Sequence, residues 1–274
     1  MENIKEYAAR KKAELKKYLE DNDLHLKTVV IRVGENPASA AYVKGKVKDC
    51  EEVGIECEVR HFPESISESD LLIEVAKCNT DPSIDGFIVQ LPLPKHISEA
   101  KITEAIDYKK DIDGFTKQSL VNPATPQGIL TYLEDNNFNF VDANAVVIGR
   151  SNIVGKPLAN LMINAGATVT VCNSKTDINT LRVNIAISDI FISAIGVANY
   201  FNKEMFEFYR LDNTIAIDVG INRDEEGKLC GDIDRELYDE FKAVTSVPGG
   251  VGIMTVLEVI RNSIECYKRH MDGI

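Results

Sequence analysis

Several familiar signatures are missing from this chain, and each absence narrows what it does. The six cysteines (Cys50, Cys57, Cys78, Cys172, Cys230 and Cys266) form no CxxC pair, and the four histidines are scattered along the sequence. A zinc site is therefore not expected, and no other metal is called for; dispersed thiols in a large core suit a reducing, cytoplasmic setting. Basic charge is not in excess. The formal net charge of −12 argues against a broad nucleic-acid surface, although a local cluster of amides and lysines can still hold a small anion. No apolar run approaches the roughly eighteen residues of a membrane helix. The opening stretch, "MENIKEYAARKKAELKKYLE", is charged and amphipathic rather than a secretory leader. Internal repeats and low-complexity linkers are also missing.

What remains is an ordinary soluble composition: 274 residues, 44% hydrophobic and 27% charged, enough chain for one large or two medium domains with a proper core. Strand-like and helix-like runs alternate. "KTVVIRVG" is a β-branched run ending in glycine, and "ASAAYVKGKVKDCEEVG" has helical spacing and a closing Gly54. "IECEVRHF", "ESDLLIEVAKCNTD" and "IDGFIVQLPLP" continue as strand, helix and strand. This βαβαβ order implies a parallel sheet covered by helices. The second half repeats the rhythm through "AVVIG", "ATVTVCNS", "DIFISAIG" and "TIAIDVG". The turn-rich "VNPATPQG" marks the junction. A last helix places Met254, Leu257, Ile260 and Ile264 on one face.

The stretch "AVVIGRSNIVGKPLANLMINAG" reads as strand, glycine turn and helix. Val146 to Ile148 is apolar on both faces, as a central parallel strand should be. Pro157 suits a first helical turn, and Leu158, Leu161, Met162 and Ala165 form an inward stripe. Free amides at such a helix start favour an anion. Yet Gly149 and Gly155 are six apart, without the third glycine of the usual dinucleotide fingerprint. A plain strand-to-helix connection would look similar. After the next strand no carboxylate precedes Asp177, where an NAD site usually has one for the ribose. Arg150, Ser174 and Lys175 instead suit a ribose phosphate, which favours NADP; a solvated Lys175 is the plainer alternative.

Four further features hold candidate chemistry. Tyr42 and Lys46, four apart on a helix, share a face; alone, this pair is as readily a packed tyrosine beside a snorkelling lysine. Gln90 ends a buried-type strand at its carboxyl end, where ligands meet parallel sheets, but could equally satisfy loop carbonyls. Asp113 sits in "KDIDGF". A carboxylate can accept two hydrogen bonds from an aminopyrimidine edge, while Asp-Gly alone is a turn signal. "VPGGVG", from Val247 to Gly252, would let backbone approach a ligand closely, or simply enter a helix.

Taken together, "GENPASAAYVKGKVKDCEEVGI", "DGFIVQLPLP", "KDIDGF", "VVIGRSNIVGKPLANLMINAGATVTV", "DVGIN" and "SVPGGVGIMT" resemble, in order, the bifunctional methylenetetrahydrofolate dehydrogenase/cyclohydrolase family. The resemblance implies two α/β domains, the second a Rossmann-type parallel sheet, with a C-terminal helix returning to the first. The corresponding ranges are a folate-binding catalytic domain over 1–122, completed by helix 253–274, and an NADP-binding domain over 123–252. It implies oxidation of 5,10-methylene-tetrahydrofolate with NADP, then hydrolysis of the methenyl product to 10-formyl-tetrahydrofolate. That activity belongs to one-carbon metabolism and purine biosynthesis, in a cytoplasmic homodimer with no nucleic-acid or membrane partner.

By the same resemblance Lys46 manages the proton of the hydrolytic step, if burial beside a cationic intermediate lowers its pKa. Tyr42 stacks on the pterin and positions Lys46, Gln90 hydrogen-bonds Lys46, and Asp113 holds the pterin ring. Pro248, Gly249 and Gly250 lie along the substrate. Gly149, Arg150, Ser151 and Ser174 hold phosphates and ribose, and Ile221 meets the cofactor through its backbone. The chain departs from the family pattern at Tyr108, Thr116, Ala124, Asn173 and Ile253. These changes bear on rate and substrate fit rather than on identity. A monofunctional or NAD-using dehydrogenase, or a cofactor-binding regulatory protein, are the alternatives.

Overall fold

The charged opening stretch folds as helix α1 (Ile4–Asp21) in the computed structural model, which describes residues 1–271. Two compact units divide the chain. An N-terminal unit comprises Ala8–Ala124 and residues from Val256 on; a central unit comprises Met1–Tyr7 and Thr125–Thr255.

In the N-terminal unit, β1 (Lys27–Val33) leads into α2 (Pro37–Val53), β2 (Glu56–Phe62), α3 (Glu68–Thr80), β3 (Gly86–Val89) and a short α4 (Glu99–Glu104). The three strands are parallel in the order β2-β1-β3, with Val30 opposite Val59 and Ile88. Alternation along β1 splits the core. Val29, Ile31 and Val33 pack with Leu71 and Val75 of α3, whereas Val30 packs on the other face with Val43 of α2. Both faces are thus helix-covered, as a parallel sheet requires.

The central unit runs α5 (Ala124–Asp135), β4 (Asn144–Ile148), α6 (Gly155–Asn164), β5 (Thr168–Cys172), α7 (Ile178–Ala186), β6 (Ile190–Ser193) and β7 (Ile215–Asp218). A small hairpin of β8 (Asn222–Arg223) and β9 (Leu229–Cys230) and the edge strand β10 (Ala243–Val244) follow. Its parallel sheet has the order β10-β7-β6-β4-β5. The order reverses at β4, between β5 on one side and β6 on the other. That is where an open α/β sheet receives ligands, outside the carboxyl ends of its strands. Phe191, Phe201, Ala216 and Leu181 close one face. The first residues belong here too: Tyr7 lies edge-on to Tyr132, with centroids 5.0 Å apart, and donates to Asp135 Oδ2 at 2.8 Å.

Helix α8 (Val251–Met271) contributes its first turn to the central unit and the rest to the N-terminal unit. The expected face of Met254, Leu257, Ile260 and Ile264 is buried, but so are Val256, Val259 and Cys266. Val256, Ile260 and Ile264 pack with Leu19, Leu26 and Ile55, while Val259 and Cys266 join Val30, Val43 and Ile88. One helix serves two clusters of the same unit, so a single stripe understates its burial. The stripe on α6 also differs from expectation. Leu158, Ala159 and Met162 are buried with Gly155, and Leu161 and Ala165 are only half-buried. The helix is rotated so that its glycine faces inward. No helix among the described residues is long and apolar enough to cross a membrane.

Candidate active site

Helix α2 is fixed at both ends by local chemistry. Asn36 caps it, accepting the Ser39 amide on Oδ1 at 3.1 Å, a contribution of about 1 kcal/mol. Pro37 at the first helical position loses no hydrogen bond there. At the far end Gly54 takes φ +97°, Ile55 N–H donates to the Cys50 carbonyl at 2.9 Å, and Gly54 N–H donates to that of Glu51 at 3.1 Å, the paired closure typical of a left-handed helix stop. Among the described residues between these ends the buried positions are Ser39, Val43, Lys46, Cys50 and Val53. Lys46 therefore occupies a core position of the apolar stripe, only 2% exposed. Its Nζ lies 4.9 Å from the centroid of the half-buried Tyr42 ring, within cation–π range. Burying an amine in such a stripe costs stability unless function requires it.

Asp113 is half-buried on a loop that Asp111 shapes. The wholly buried Asp111 accepts the Gly114 amide on Oδ1 at 2.9 Å and the Thr116 amide on Oδ2 at 2.7 Å. Asn262 of α8 donates to the carbonyls of Ile112 and Asn122, at 3.0 and 3.2 Å. Gly114 has φ +73°, and a Cβ there would lie 2.5 Å from the Asn122 carbonyl oxygen, so only glycine fits. Burial pushes the Asp113 carboxyl above its ordinary pKa. The Lys46 ammonium opposes this and the Asp111 carboxylate adds to it. Lys46, Tyr42 and Asp113 thus share one neighbourhood.

Gln90 follows β3 at its carboxyl end. Its backbone N–H donates to Ile31, and its Nε2 donates to the Leu91 carbonyl at 2.8 Å. Lys46 is not among its hydrogen-bond partners. Its Oε1 is buried without a partner among the described residues, an acceptor left for a donor that the chain does not supply.

In the central unit, the turn after β4 explains its unusual glycine spacing. Gly149 takes φ +117°, and a Cβ on it would collide with the Ala194 carbonyl oxygen at the end of β6. A Cβ on Gly155 would collide with the Gly149 carbonyl. Two glycines six apart thus bring strand end, turn and helix start into direct contact. Ser151 Oγ accepts the amides of Val154 and Gly155 at 3.1 and 3.3 Å, leaving its hydroxyl hydrogen free to donate. Arg150 is exposed beside it. After β5, Asn173 Oδ1 accepts the Lys175 amide at 3.0 Å, folding a tight turn that leaves Ser174 and Lys175 exposed. Ile221 is exposed after β7. Pro248 is exposed, Gly249 has φ +100°, and a Cβ on the buried Gly250 would lie 2.5 Å from the Ser246 carbonyl oxygen.

A β4–turn–α6 unit at the sheet's reversal, its two glycines packing strand end against helix start, has the form of a dinucleotide-binding α/β protein. Residues 2–113 match the tetrahydrofolate dehydrogenase/cyclohydrolase catalytic domain, and residues 123–271 match the NAD(P)-binding domain of the same family. The chain belongs to the tetrahydrofolate dehydrogenase/cyclohydrolase family. It is 43% identical to the bifunctional protein FolD of Bacillus cytotoxicus, over 96% of this chain and 95% of that one. It is similar to the solved FolD dehydrogenase/cyclohydrolase of Campylobacter jejuni (TM-score 0.89, 39% identity, 98% of each chain). It is also similar to the Trypanosoma brucei FolD solved with NADP and an inhibitor (TM-score 0.89, 26% identity, 99% of this chain and 98% of that one).

Of the two acids in "KDIDGF", motif position favours Asp113 for the pterin, and Asp111 is the one that holds its loop; nothing in the sequence marks Asn262, which ties the same loop to α8.

Proposed function

We propose that this chain oxidises 5,10-methylene-tetrahydrofolate with NADP and hydrolyses the methenyl product to 10-formyl-tetrahydrofolate. The observation that carries the reading is Lys46, an amine built into the buried stripe of α2 against Tyr42 and within electrostatic reach of Asp113.

Asp113 accepts two hydrogen bonds from the aminopyrimidine edge of the pterin, and Tyr42 lies against the ring. Pro248, Gly249 and Gly250 lie along the substrate, with Gly249 presenting backbone free of a side chain. NADP, when bound, accepts the hydride that leaves the methylene carbon. Gly149, Arg150, Ser151 and Ser174 hold its phosphates and ribose, and Ile221 meets it through backbone. The exposed donors on Ser151 and Arg150, at a turn drawn tight by Gly149 and Gly155, fit that ligand.

In the second step a water oxygen bonds to the methenyl carbon. Lys46 Nζ takes one water proton, giving a neutral carbinol, and returns it to the pterin nitrogen as the carbon–nitrogen bond breaks; the remaining hydroxyl proton leaves to solvent as the formyl carbonyl forms. Gln90 Oε1, lacking a partner, accepts from the Lys46 ammonium or the ligand during this transfer.

We further read the enzyme as a homodimer of the reducing cytoplasm. Its six cysteines are free thiols, five of them buried. Sedimentation at micromolar concentration tests the dimer.

A single assay tests the activity. The protein is given methylene-tetrahydrofolate with NADP or with NAD, and methenyl and formyl products are followed separately. NADP-dependent formation of both is expected. Binding of NADP without turnover would establish a regulatory protein instead, and accumulation of methenyl product alone a monofunctional dehydrogenase.

A further inference from the structure

Two buried aspartates in the central unit have no part in the chemistry above. Asp218 closes β7, and Asp232 follows β9; both are buried. Their bonds form a relay. Asp218 Oδ1 accepts the amides of Gly220 and Asp232, at 2.9 and 3.0 Å, and its Oδ2 accepts that of Ile233 at 2.9 Å. Asp232 in turn accepts on Oδ2 the Ser193 hydroxyl at 2.7 Å and the Ile195 amide at 2.9 Å. On Oδ1 it accepts the Val197 amide at 3.0 Å and Asn222 Nδ2 at 2.9 Å. A Cβ on Gly220 would collide with Asp232 Oδ1, and one on Gly231 with Asp218 Oδ2. The backbone reinforces the link: Asn199 N–H donates to Gly231, Phe201 N–H to Asp232, and Asp234 N–H to Phe201.

Stability alone is a poor reason for this arrangement. Two carboxylates confined together repel, and apolar residues in their place would often be no worse. What the relay secures is direction. In a trans peptide the N–H and C=O point opposite ways. With the Ile195 N–H on Asp232, the Ala194 carbonyl must point away from it, and that carbonyl is the group lying over Gly149. With the Val197 N–H on Asp232, the exposed Gly196 likewise turns its carbonyl away. Both carbonyls stand at the carboxyl end of β6, the strand that borders the sheet's reversal point.

We propose that Asp232 is a positioning residue for the dinucleotide: its carboxylate, anchored through Asp218, seats the Ala194 carbonyl against the Gly149 turn and turns the Gly196 carbonyl outward, so that the loop after β6 is held in the shape the cofactor needs. The proposal rests on the NADP reading of the central unit.

The test compares the parent with Asp232→Asn, Asp232→Ala and Ser193→Ala. NADP affinity is read by calorimetry. KM and kcat are read for the dehydrogenase, and hydrolysis is read on methenyl-tetrahydrofolate added directly without NADP. For Asp232→Asn, we expect the NADP Kd and KM to rise at least about tenfold, with kcat at saturation falling less than about threefold. Ser193→Ala, which removes one donor, should raise KM by roughly two- to fivefold. Hydrolysis without NADP should stay within about twofold for both, a readout that general misfolding would not spare. NADP affinity unchanged in a folded Asp232→Asn, or equal loss of both activities, overturns the proposal. Should Asp232→Ala not fold, the other two variants still decide. A parent that fails to bind NADP overturns the dinucleotide reading itself, and is seen before any variant is made.

Discussion

The Nζ of Lys46 lies 4.9 Å from the centre of the Tyr42 ring, on a helix position whose neighbours along the stripe, Val43 and Cys50, belong to the core. An amine so placed opposes folding. Lys46→Met keeps the volume and removes the charge. Hydrolysis of methenyl-tetrahydrofolate should fall by at least about a hundredfold, with folate affinity largely kept and the melting temperature unchanged or higher. Product-resolved kinetics and a thermal melt check both halves; unimpaired hydrolysis would remove Lys46 from the mechanism.

As a partner of the pterin, Asp113 would give folate binding a pH dependence whose sign follows from its burial. Its carboxyl is raised by burial in the free protein, while the aminopyrimidine edge donates to the ionised form. Below the raised pKa a proton must leave before the ligand binds, so affinity falls as pH falls. Titrating folate affinity against pH in the parent and in Asp113→Asn separates this from other groups. The variant should bind about tenfold or more weakly near neutrality and show a flatter profile.

Gly149→Ala introduces a methyl group where the Ala194 carbonyl sits, at a φ of +117° that an L side chain rarely adopts. The turn must shift. NADP binding should be lost, and stability should drop by about 2 kcal/mol or more. Denaturant unfolding and calorimetry measure the two effects. A variant that retains parental affinity would show that the turn does not cradle the cofactor.

Placing a carboxylate after β5 should reverse the cofactor preference. Ser174 is exposed at the tip of the turn that Asn173 folds. Ser174→Asp should lower kcat/KM for NADP by about tenfold or more through repulsion of the ribose phosphate, while NAD use holds or improves. Equal losses with both cofactors would argue against a phosphate site there.

Asp218 titrates at about 6, raised first by burial and further by Asp232, against the pull of three backbone amides. Its folded pKa lies above the ordinary 3.8, so the folded state binds the extra proton. The contribution is fully present below the lower value and is lost as pH rises through about 6. The stability difference between the parent and Asp218→Asn should therefore move in the parent's favour as pH falls from about 6 to 4. Urea unfolding at matched pH values reads it; a pH-independent difference would mean that Asp218 does not titrate there.

Much of this was legible before any coordinates, because local patterns were consistent with the fold. β-branched runs ending in glycine marked β1 and β4, and Gly54 marked the end of α2, since only backbone chemistry decided them. The helix-covered parallel sheets followed from the alternation of strand and helix, while the division into two domains came only with the family resemblance. Burial around α8 was only partly readable, because one helix packs into two clusters and periodicity reports a single stripe. The stripe of α6 was misjudged by a rotation, because Gly155, silent in a hydrophobic pattern, is what faces inward. The Tyr42–Lys46 pair was visible as spacing, but whether the lysine points into the core depends on neighbours distant in sequence. The Asp218–Asp232 relay was invisible for the same reason: its partners come from β6, β7 and the segment after β9.

The final helix has a consequence for how the chain is made. Val256, Ile260 and Ile264 are walls of the same core as Leu19, Leu26 and Ile55. A ribosome delivers those walls more than two hundred residues after Leu19, Leu26 and Ile55, on which they pack. The usual order, in which the earlier-synthesised segments fold first, is therefore blocked for the N-terminal unit, whose apolar core must wait until α8 has been made. A stalled or prematurely terminated chain would leave that core open, which makes the unit, rather than the dinucleotide-binding one, the part of the nascent protein that most needs a chaperone.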